Sequence, residues 1–301
     1  MSGRFLTWMM VAATALGAQA PRRVELVVTS TTDVHNRLRA WDYYGNAAEP
    51  QRGLSRAATV VDSVRAAHPG RVILVDAGDL LQGSPLGYVA ARLDTIGVHP
   101  VIAAMNAMRY DAAAIGNHEF NYGIPTLRKA LKDATFPFLG ANVVHLGRER
   151  ARPLVVPSRI VVREGIRVAI VGATTPGSMV WDRQNLAGRL RMTDVVTAVR
   201  REVAAVRRRG ADVVTVVMHT GLSGETSYDT TGGLPPENVA ADVAMRVPGI
   251  DLIVFGHSHR EVADTTINGV MLQQPRNWAQ SVGAATLTVE RRGGRWRVVE
   301  K

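Results

Sequence analysis

The chain has 301 residues, 46% of them hydrophobic, no cysteine and a mean hydropathy of +0.01. That composition supplies an ordinary globular core and excludes disulfide scaffolds, thiolate metal centres and intrinsic disorder. The formal net charge of +10 favours anionic partners, but lysine occurs only at Lys129, Lys132 and Lys301 and no basic-plus-aromatic module is present, so no stable nucleic-acid partner is expected.

In chain order, Arg4 precedes an apolar run over residues 5–16, shorter than the ~20 residues a spanning helix needs. Gly17-Ala18-Gln19-Ala20 follows as a cleavage region, with a cut after Gly17 as the alternative because Pro21 comes next. Residues 1–20 therefore read as a signal peptide and residues 21–301 as a periplasmic or secreted catalytic domain with no membrane partner. A first strand is expected over residues 24–30, with Asp33 and His35 just beyond it. Leu54, Ala58, Val61 and Val64 at helical spacing, with a stop at Gly70, predict a helix over residues 54–67. A strand over residues 72–75 leads to Gly78-Asp79. After a helix over residues 100–108, a strand over 112–115 leads to Gly116-Asn117-His118-Glu119.

Further helices are expected over residues 124–131, 193–209 and 236–246. Arg207, Arg208 and Arg209 close the second of these before Gly210, where cations suit the helix dipole. Strands are expected over residues 138–141, 213–218 and 252–255. His219 follows the second, and Gly256-His257-Ser258-His259 follows the third. Glu164-Gly165 and Gly293-Gly294 mark hairpins joining residues 158–162 to 168–172 and 286–290 to 296–299. Residues 223–236, rich in Gly, Ser, Thr and Pro, read as a mobile loop beside His219. Strand–helix alternation with antiparallel ribbons is an α/β pattern.

Five segments thus carry metal-ligating side chains, and each follows a strand. Only eight histidines occur, and His35, His118, His219, His257 and His259 all fall in these segments; His68, His99 and His145 have no such setting. In an open α/β sheet the carboxyl ends of the strands line one edge, so distant segments can deliver side chains to one place. Asp33, His35, Asp79, Asn117, His219, His257 and His259 are too many for one catalytic zinc. They suit two divalent ions about 3.5–4 Å apart, drawn from Mn, Zn, Co, Fe or Mg. His257 and His259, at i and i+2, point to the same side of an extended segment.

The ordered set Asp33-Val34-His35, Gly78-Asp79, Gly116-Asn117-His118-Glu119, His219 and Gly256-His257-Ser258-His259 resembles the calcineurin-like metallophosphoesterases, over nearly the whole mature chain. Finer features resemble that family's nucleotide-hydrolysing branch: Asp79-Leu80-Leu81-Gln82-Gly83-Ser84-Pro85-Leu86-Gly87, Phe120-Asn121-Tyr122-Gly123 after Glu119, and His219-Thr220-Gly221-Leu222. Asp42-Tyr43-Tyr44 and the W-D-x-x-N-L run from Trp181 to Leu186 are similar to the 2′,3′-cyclic-nucleotide 2′-phosphodiesterase/3′-nucleotidases. The 5′-nucleotidase branch usually has Asp where this chain has Asn121, which argues against a plain 5′-nucleotidase and against an acidic partner orienting His118 from that position.

The resemblance implies a four-layer α/β/β/α sandwich of two mixed sheets with outer helices. It implies one metal on Asp33, His35 and His259, a second on Asn117, His219 and His257, and Asp79 bridging; the family often has Gln in place of His259. His118 would contact the phosphate. The implied reaction is hydrolysis of 2′,3′-cyclic nucleotides and 3′-nucleotides. Alternatives are a 5′-nucleotidase/UDP-sugar hydrolase, a broad phosphodiesterase, or a non-catalytic metal- or phosphate-binding domain. The C-terminal nucleoside-binding domain usual in this branch is expected to be absent, leaving Tyr43, Tyr44 and Trp278 as candidates to meet a base. Metal identity and oligomeric state stay open.

Overall fold

The computed structural model describes residues 22–301, so the expected signal peptide lies outside the described residues. Two six-stranded mixed sheets face one another. The first is built from β1 (Arg23–Thr31), β2 (Val72–Asp76), β3 (Ala112–Ala114) and β4 (Phe138–Leu139). The second is built from β5 (Ser158–Arg163), β6 (Ile166–Thr174), β7 (Val213–His219), β8 (Leu252–Phe255), β9 (Val262–Ile267) and β10 (Val270–Gln274). The final hairpin, β11 (Gly283–Arg292) and β12 (Arg295–Glu300), returns to the first sheet. The strand orders are β12-β11-β1-β2-β3-β4 and β9-β10-β8-β7-β6-β5. Strands β1 to β4 run parallel, as do β6, β7, β8 and β10, while β1–β11, β11–β12, β9–β10 and β5–β6 pair antiparallel.

The layers follow from strand alternation, in which successive side chains point to opposite faces. Val24, Leu26 and Val28 of β1 and Ile73 and Val75 of β2 meet Val168, Ile170, Val213, Val217, Leu252 and Val254 between the sheets. The opposite faces are also apolar. Leu74 packs outward with Leu54 and Val61 of α1 (Leu54–Ala67) and Ile102 and Met105 of α2 (Pro100–Met108). Leu127 of α3 (Ile124–Asp133) joins the same core. On the far side, Val171, Val214 and Val216 pack against Val199 and Val203 of α4 (Val195–Arg208) and Val243 of α5 (Ala240–Arg246). This is the four-layer α/β/β/α sandwich. Strands buried on both faces read as continuous apolar runs, as parallel sheets require.

Three local departures from the expected elements have physical reasons. The strand expected over residues 138–141 stops at Leu139, because the amide of Ala141 bonds Gly172 O of the second sheet at 2.7 Å. The helix expected from residue 236 starts at Ala240, because Glu237 and Asn238 turn their side chains to His257 and to the Gly221 amide. The β9–β10 hairpin was not foreseen, although Asn268-Gly269 carries its signal: both residues have positive φ (50° and 74°), as a type I′ turn demands. Among the described residues no helix is long and apolar enough to cross a membrane.

Candidate metal centre

The segments that follow β1, β2, β3, β7 and β8 converge. Asp33, His35, Asp79, His257 and His259 all sit in the left-handed backbone region, with φ between 49° and 73°. For residues other than glycine that conformation costs about 1 kcal/mol or more each, and it persists where surrounding structure imposes it. Here the amides of Asp33 and His35 bond Gly78 O and Asp79 O at 2.9 and 3.0 Å, and the Trp278 amide bonds Asp33 O at 2.8 Å. Gly116 is needed because a Cβ there would run into the Asp79 carboxylate.

The imidazoles are aimed by their second nitrogens. His35 Nδ1 donates to Gln82 O at 2.6 Å and His219 Nδ1 to Ala77 O at 2.8 Å, so both present Nε2 to the centre. His257 Nε2 donates to Glu237 at 2.6 Å, which leaves Nδ1 as its free nitrogen. Such outer partners fix ring orientation and raise ligand basicity. The ligand atoms of Asp33, His35 and His259 lie within 4.8 Å of one another, as do those of Asp79, His219 and His257. The first of these trios is the one the resemblance assigns to one ion; the second joins the expected bridge to two ligands of the other. His68, His99 and His145 join no such group among the described residues.

The arrangement fits cations. Asp33 Oδ1, Asn117 Oδ1 and His219 Nε2 are buried without hydrogen-bond partners. His219 Nε2 lies 2.9 Å from Asp79 Oδ2, and His35 Nε2 lies 3.0 Å from His259 Nε2. With Nδ1 of His219 already donating, the contact with Asp79 sets a lone pair against a carboxylate unless positive charge intervenes. The electrostatics agree. Burial works against charge on His219, yet Asp79, then Asp33, outweigh it and push the imidazole up to about 10. Burial likewise opposes ionisation of Asp79, but His219 and the neighbouring imidazoles hold its carboxyl well below the usual range. Oxygen and imidazole donors of this kind suit divalent first-row ions.

His118 stands beside the cluster. Its amide donates to Asp79 Oδ1 at 2.7 Å, and its Nε2 lies 3.9 Å from Asp79 Oδ2. Its Nδ1 faces Asn121 Oδ1 at 2.6 Å, and Asn121 Nδ2 donates to Asp182 Oδ2 at 2.9 Å. The half-buried ring opens on a cavity of about 490 Å³ lined by Asn117, Asn121, Trp181, Glu237 and His257.

Sequence reasoning missed four residues here. Glu119 lies within the quoted motif, but its role is behind the cluster, where it accepts four amides: Gly116 and Leu80 at 2.6 Å, Asp79 at 3.0 Å and Leu81 at 3.2 Å. Glu237 sits in an aperiodic segment, and burial works against its charge, but bonds from His257 and Ser227 hold it down at about 2. Asp182 and Trp181 lie in the W-D-x-x-N-L run, the one signal that pointed to them. Tyr43, Tyr44 and Trp278 do not line this cavity; the Arg37 guanidinium lies 5.2 Å from the rings of both Tyr44 and Trp278.

Two facing sheets with carboxylates and imidazoles at their strand ends define a metal-dependent phosphoesterase scaffold. The chain belongs to the calcineurin-like phosphoesterase family, which matches residues 26–261. Proteins of this family use two divalent metal ions. The chain is 36% identical over 313 residues to a 2′,3′-cyclic-nucleotide 2′-phosphodiesterase/3′-nucleotidase of Yersinia enterocolitica, covering 97% of this chain and 47% of that protein. It is 33% identical to the trifunctional nucleotide phosphoesterase protein YfkN of Bacillus subtilis, covering 93% of this chain and 20% of that one. The crystal structure of the calcineurin-like phosphoesterase YfkN from Bacillus subtilis superposes with a TM-score of 0.81 at 32% identity, covering 93% of this chain and 89% of that one. The chain therefore spans half or less of the length of these two curated relatives.

Proposed function

We propose that this domain hydrolyses nucleotide phosphate esters, with 2′,3′-cyclic nucleotides and 3′-nucleotides as its substrates. The observation that carries the chemistry is the double engagement of Asp79: one oxygen meets His219 in the ligand cluster, and the other accepts the amide of His118. That links a proton-transfer group rigidly to the ligands. The substrate class rests on the similarity to the Yersinia enterocolitica protein.

Asp33, His35 and His259 would hold one ion and Asn117, His219 and His257 the other, with Asp79 shared. When bound, such a pair supplies an activated water and a clamp on phosphate oxygens. The protein's own groups do the rest. Asn117 and His118 lie side by side, so the phosphate meets the ligand cluster and Nε2 of His118 together. His118 Nε2 gives a proton to the leaving oxygen as the P–O bond breaks, a general-acid role. The rest of the nucleotide lies along the cavity beneath Trp181, whose indole is 39% exposed. Export to the periplasm or beyond, read from residues 1–20, belongs to the same proposal.

A 5′-nucleotidase is the second reading, favoured by 32% identity to the bovine 5′-nucleotidase over 81% of this chain. Product analysis on 2′,3′-cyclic AMP, 3′-AMP and 5′-AMP with manganese-reconstituted protein separates them. Faster turnover of the first two is expected. A strong preference for 5′-AMP would promote the second reading, and no turnover of any ester would leave a binding domain.

A further inference from the structure

The resemblance leaves no carboxylate beside His118, because Asn121 stands where the 5′-nucleotidase branch usually has Asp. The geometry puts one a single hydrogen bond further back. Asp182 is 3% exposed, and its two carboxylate oxygens each accept an amide: Oδ2 from Asn121 Nδ2 at 2.9 Å and Oδ1 from Asn185 Nδ2 at 3.3 Å. Asn185 is itself tied to Phe120 O at 3.0 Å, so the acid is held from behind. Its backbone is held too, because Asp182 O accepts the amides of Asn185 and Leu186 at 2.8 and 3.1 Å.

This settles which way the Asn121 amide points. A carboxylate only accepts, so the NH₂ of Asn121 must face Asp182 and its carbonyl must face His118. A carbonyl also only accepts, so the 2.6 Å contact requires the proton on Nδ1 of His118. The neutral ring then has its lone pair on Nε2, the nitrogen 3.9 Å from Asp79 Oδ2. A neutral amide alone has no such preference, because either end of Asn can face an imidazole.

We propose that Asp182 is a positioning residue for His118, acting through Asn121 to fix the imidazole in the Nδ1–H tautomer with Nε2 facing the cavity. The inference rests on the hydrolytic reading for its kinetic consequence, but not for its structural one. A carboxylate–amide–imidazole chain does here what a direct carboxylate–imidazole pair does elsewhere, with the negative charge kept farther from the phosphate. The ring enters the reaction as an imidazolium. Its Nε2 proton moves to the leaving oxygen, and its Nδ1 proton stays in place, which leaves the Nδ1–H tautomer behind.

The test is an exchange of the two side chains. In Asp182→Asn the carboxylate that orders the amide is lost, and kcat should fall roughly tenfold, the scale of one charge-assisted hydrogen bond. KM and metal content should not change. In Asn121→Asp two carboxylates face one another, and kcat should fall as well. In the double variant the carboxylate introduced at position 121 would accept from His118 directly, and the amide introduced at position 182 would donate to that carboxylate. There kcat should recover to within a few-fold of the starting protein. Losses that simply add in the double variant would overturn the proposal, as would an unchanged kcat in Asp182→Asn. Nitrogen-15 NMR of the zinc-loaded protein reads the same idea without turnover. The Nδ1–H tautomer of His118 should be present in the starting protein, mixed in Asp182→Asn and restored in the double variant. An Nε2–H tautomer in the starting protein would sink the relay even if hydrolysis is robust. Correct tautomers with no hydrolysis would instead sink the proposed function alone.

Discussion

Asp33 ties the two sheets together at the site: its Oδ2 accepts the amide of His257, from beyond β8, at 3.0 Å, while Asp33 itself follows β1. The same oxygen accepts Thr32 Oγ1 at 2.6 Å, and Oδ1 is left without a hydrogen-bond partner. One carboxylate thus joins the strand ends through Oδ2 and leaves Oδ1 for the proposed ion. In Asp33→Asn the amide would turn its NH₂ either toward the His257 amide or toward the cluster, and both are unfavourable. We expect metal content to fall below two equivalents and the thermal midpoint to drop, with about 1–3 kcal/mol lost from the unsatisfied group. Elemental analysis and a melting curve check this. Two full equivalents in the variant would remove Asp33 from the ligand set.

Asp79 touches both halves of the cluster. Asp79→Ala is expected to lower metal content and abolish hydrolysis together. The same reasoning predicts that chelation destabilises the parent protein, since the left-handed ligand loops and crowded carboxylates lose the cations that offset them. At metal one hundred times its dissociation constant, the stabilisation returned on reloading is about 2.7 kcal/mol. A melting temperature indifferent to chelator would contradict this.

His118 is expected to act on substrate and not on the ions. His118→Asn should keep its metals while the rate falls ~10²–10⁴-fold, the usual span for a positioned acid–base group. Loss of metal from this variant would reassign the residue as a ligand.

Trp181 lies over His257, with ring centres 5.6 Å apart and planes tilted by 31°, and meets Tyr228 edge-on at 5.9 Å. Its exposed part borders the cavity. A base stacked there is worth about 1–3 kcal/mol, so Trp181→Ala should raise KM for cyclic nucleotides several-fold or more. Phosphate esters without a base should be spared. A loss confined to kcat would mean that the indole supports His257 instead.

Asp76, three residues before Asp79, gives a pH dependence. Burial pushes its carboxyl well above the usual range, although Thr31 Oγ1 at 2.5 Å and the Gly78 amide at 2.7 Å bond it. Between the ordinary carboxylate pKa and the raised one, the folded protein holds a proton that the unfolded chain has released. Stability therefore falls as pH rises through that window and levels off above it. Asp76→Asn cannot ionise, so its melting temperature should decline less than the parent's as pH rises above the ordinary carboxylate range. Parallel profiles for the two proteins would refute this.

Much of the scaffold is legible in the sequence because five of the buried strands are apolar runs that end beside a ligand-type residue. The runs before Asp33, Asp79, Asn117, His219 and His257 mark both the element and the end that converges on the cluster. The supporting residues leave no such mark. Glu119 reads as a fourth motif letter beside the ligands, yet it points backward, because four converging amides need a buried acceptor. Glu237 interrupts what looks like a helix start, and only the fold brings it to His257. Asp182 is separated from His118 by 64 positions along the chain. Local pattern carries periodicity, whereas outer-layer contacts are made between aperiodic segments.

The pairing of β1 with β11 also governs when the first sheet can be completed. Arg23 and Glu290 are register partners and are 267 residues apart. Strand β1 leaves the ribosome well before β11, and β2 arrives early to cover one side. Its other edge has no neighbour until Gly283–Arg292 has been made. Throughout that interval a long row of unpaired amides and carbonyls stays open to wrong partners. So distant a pairing is slow to form, and the β11–β12 hairpin is the piece that covers the open edge of β1.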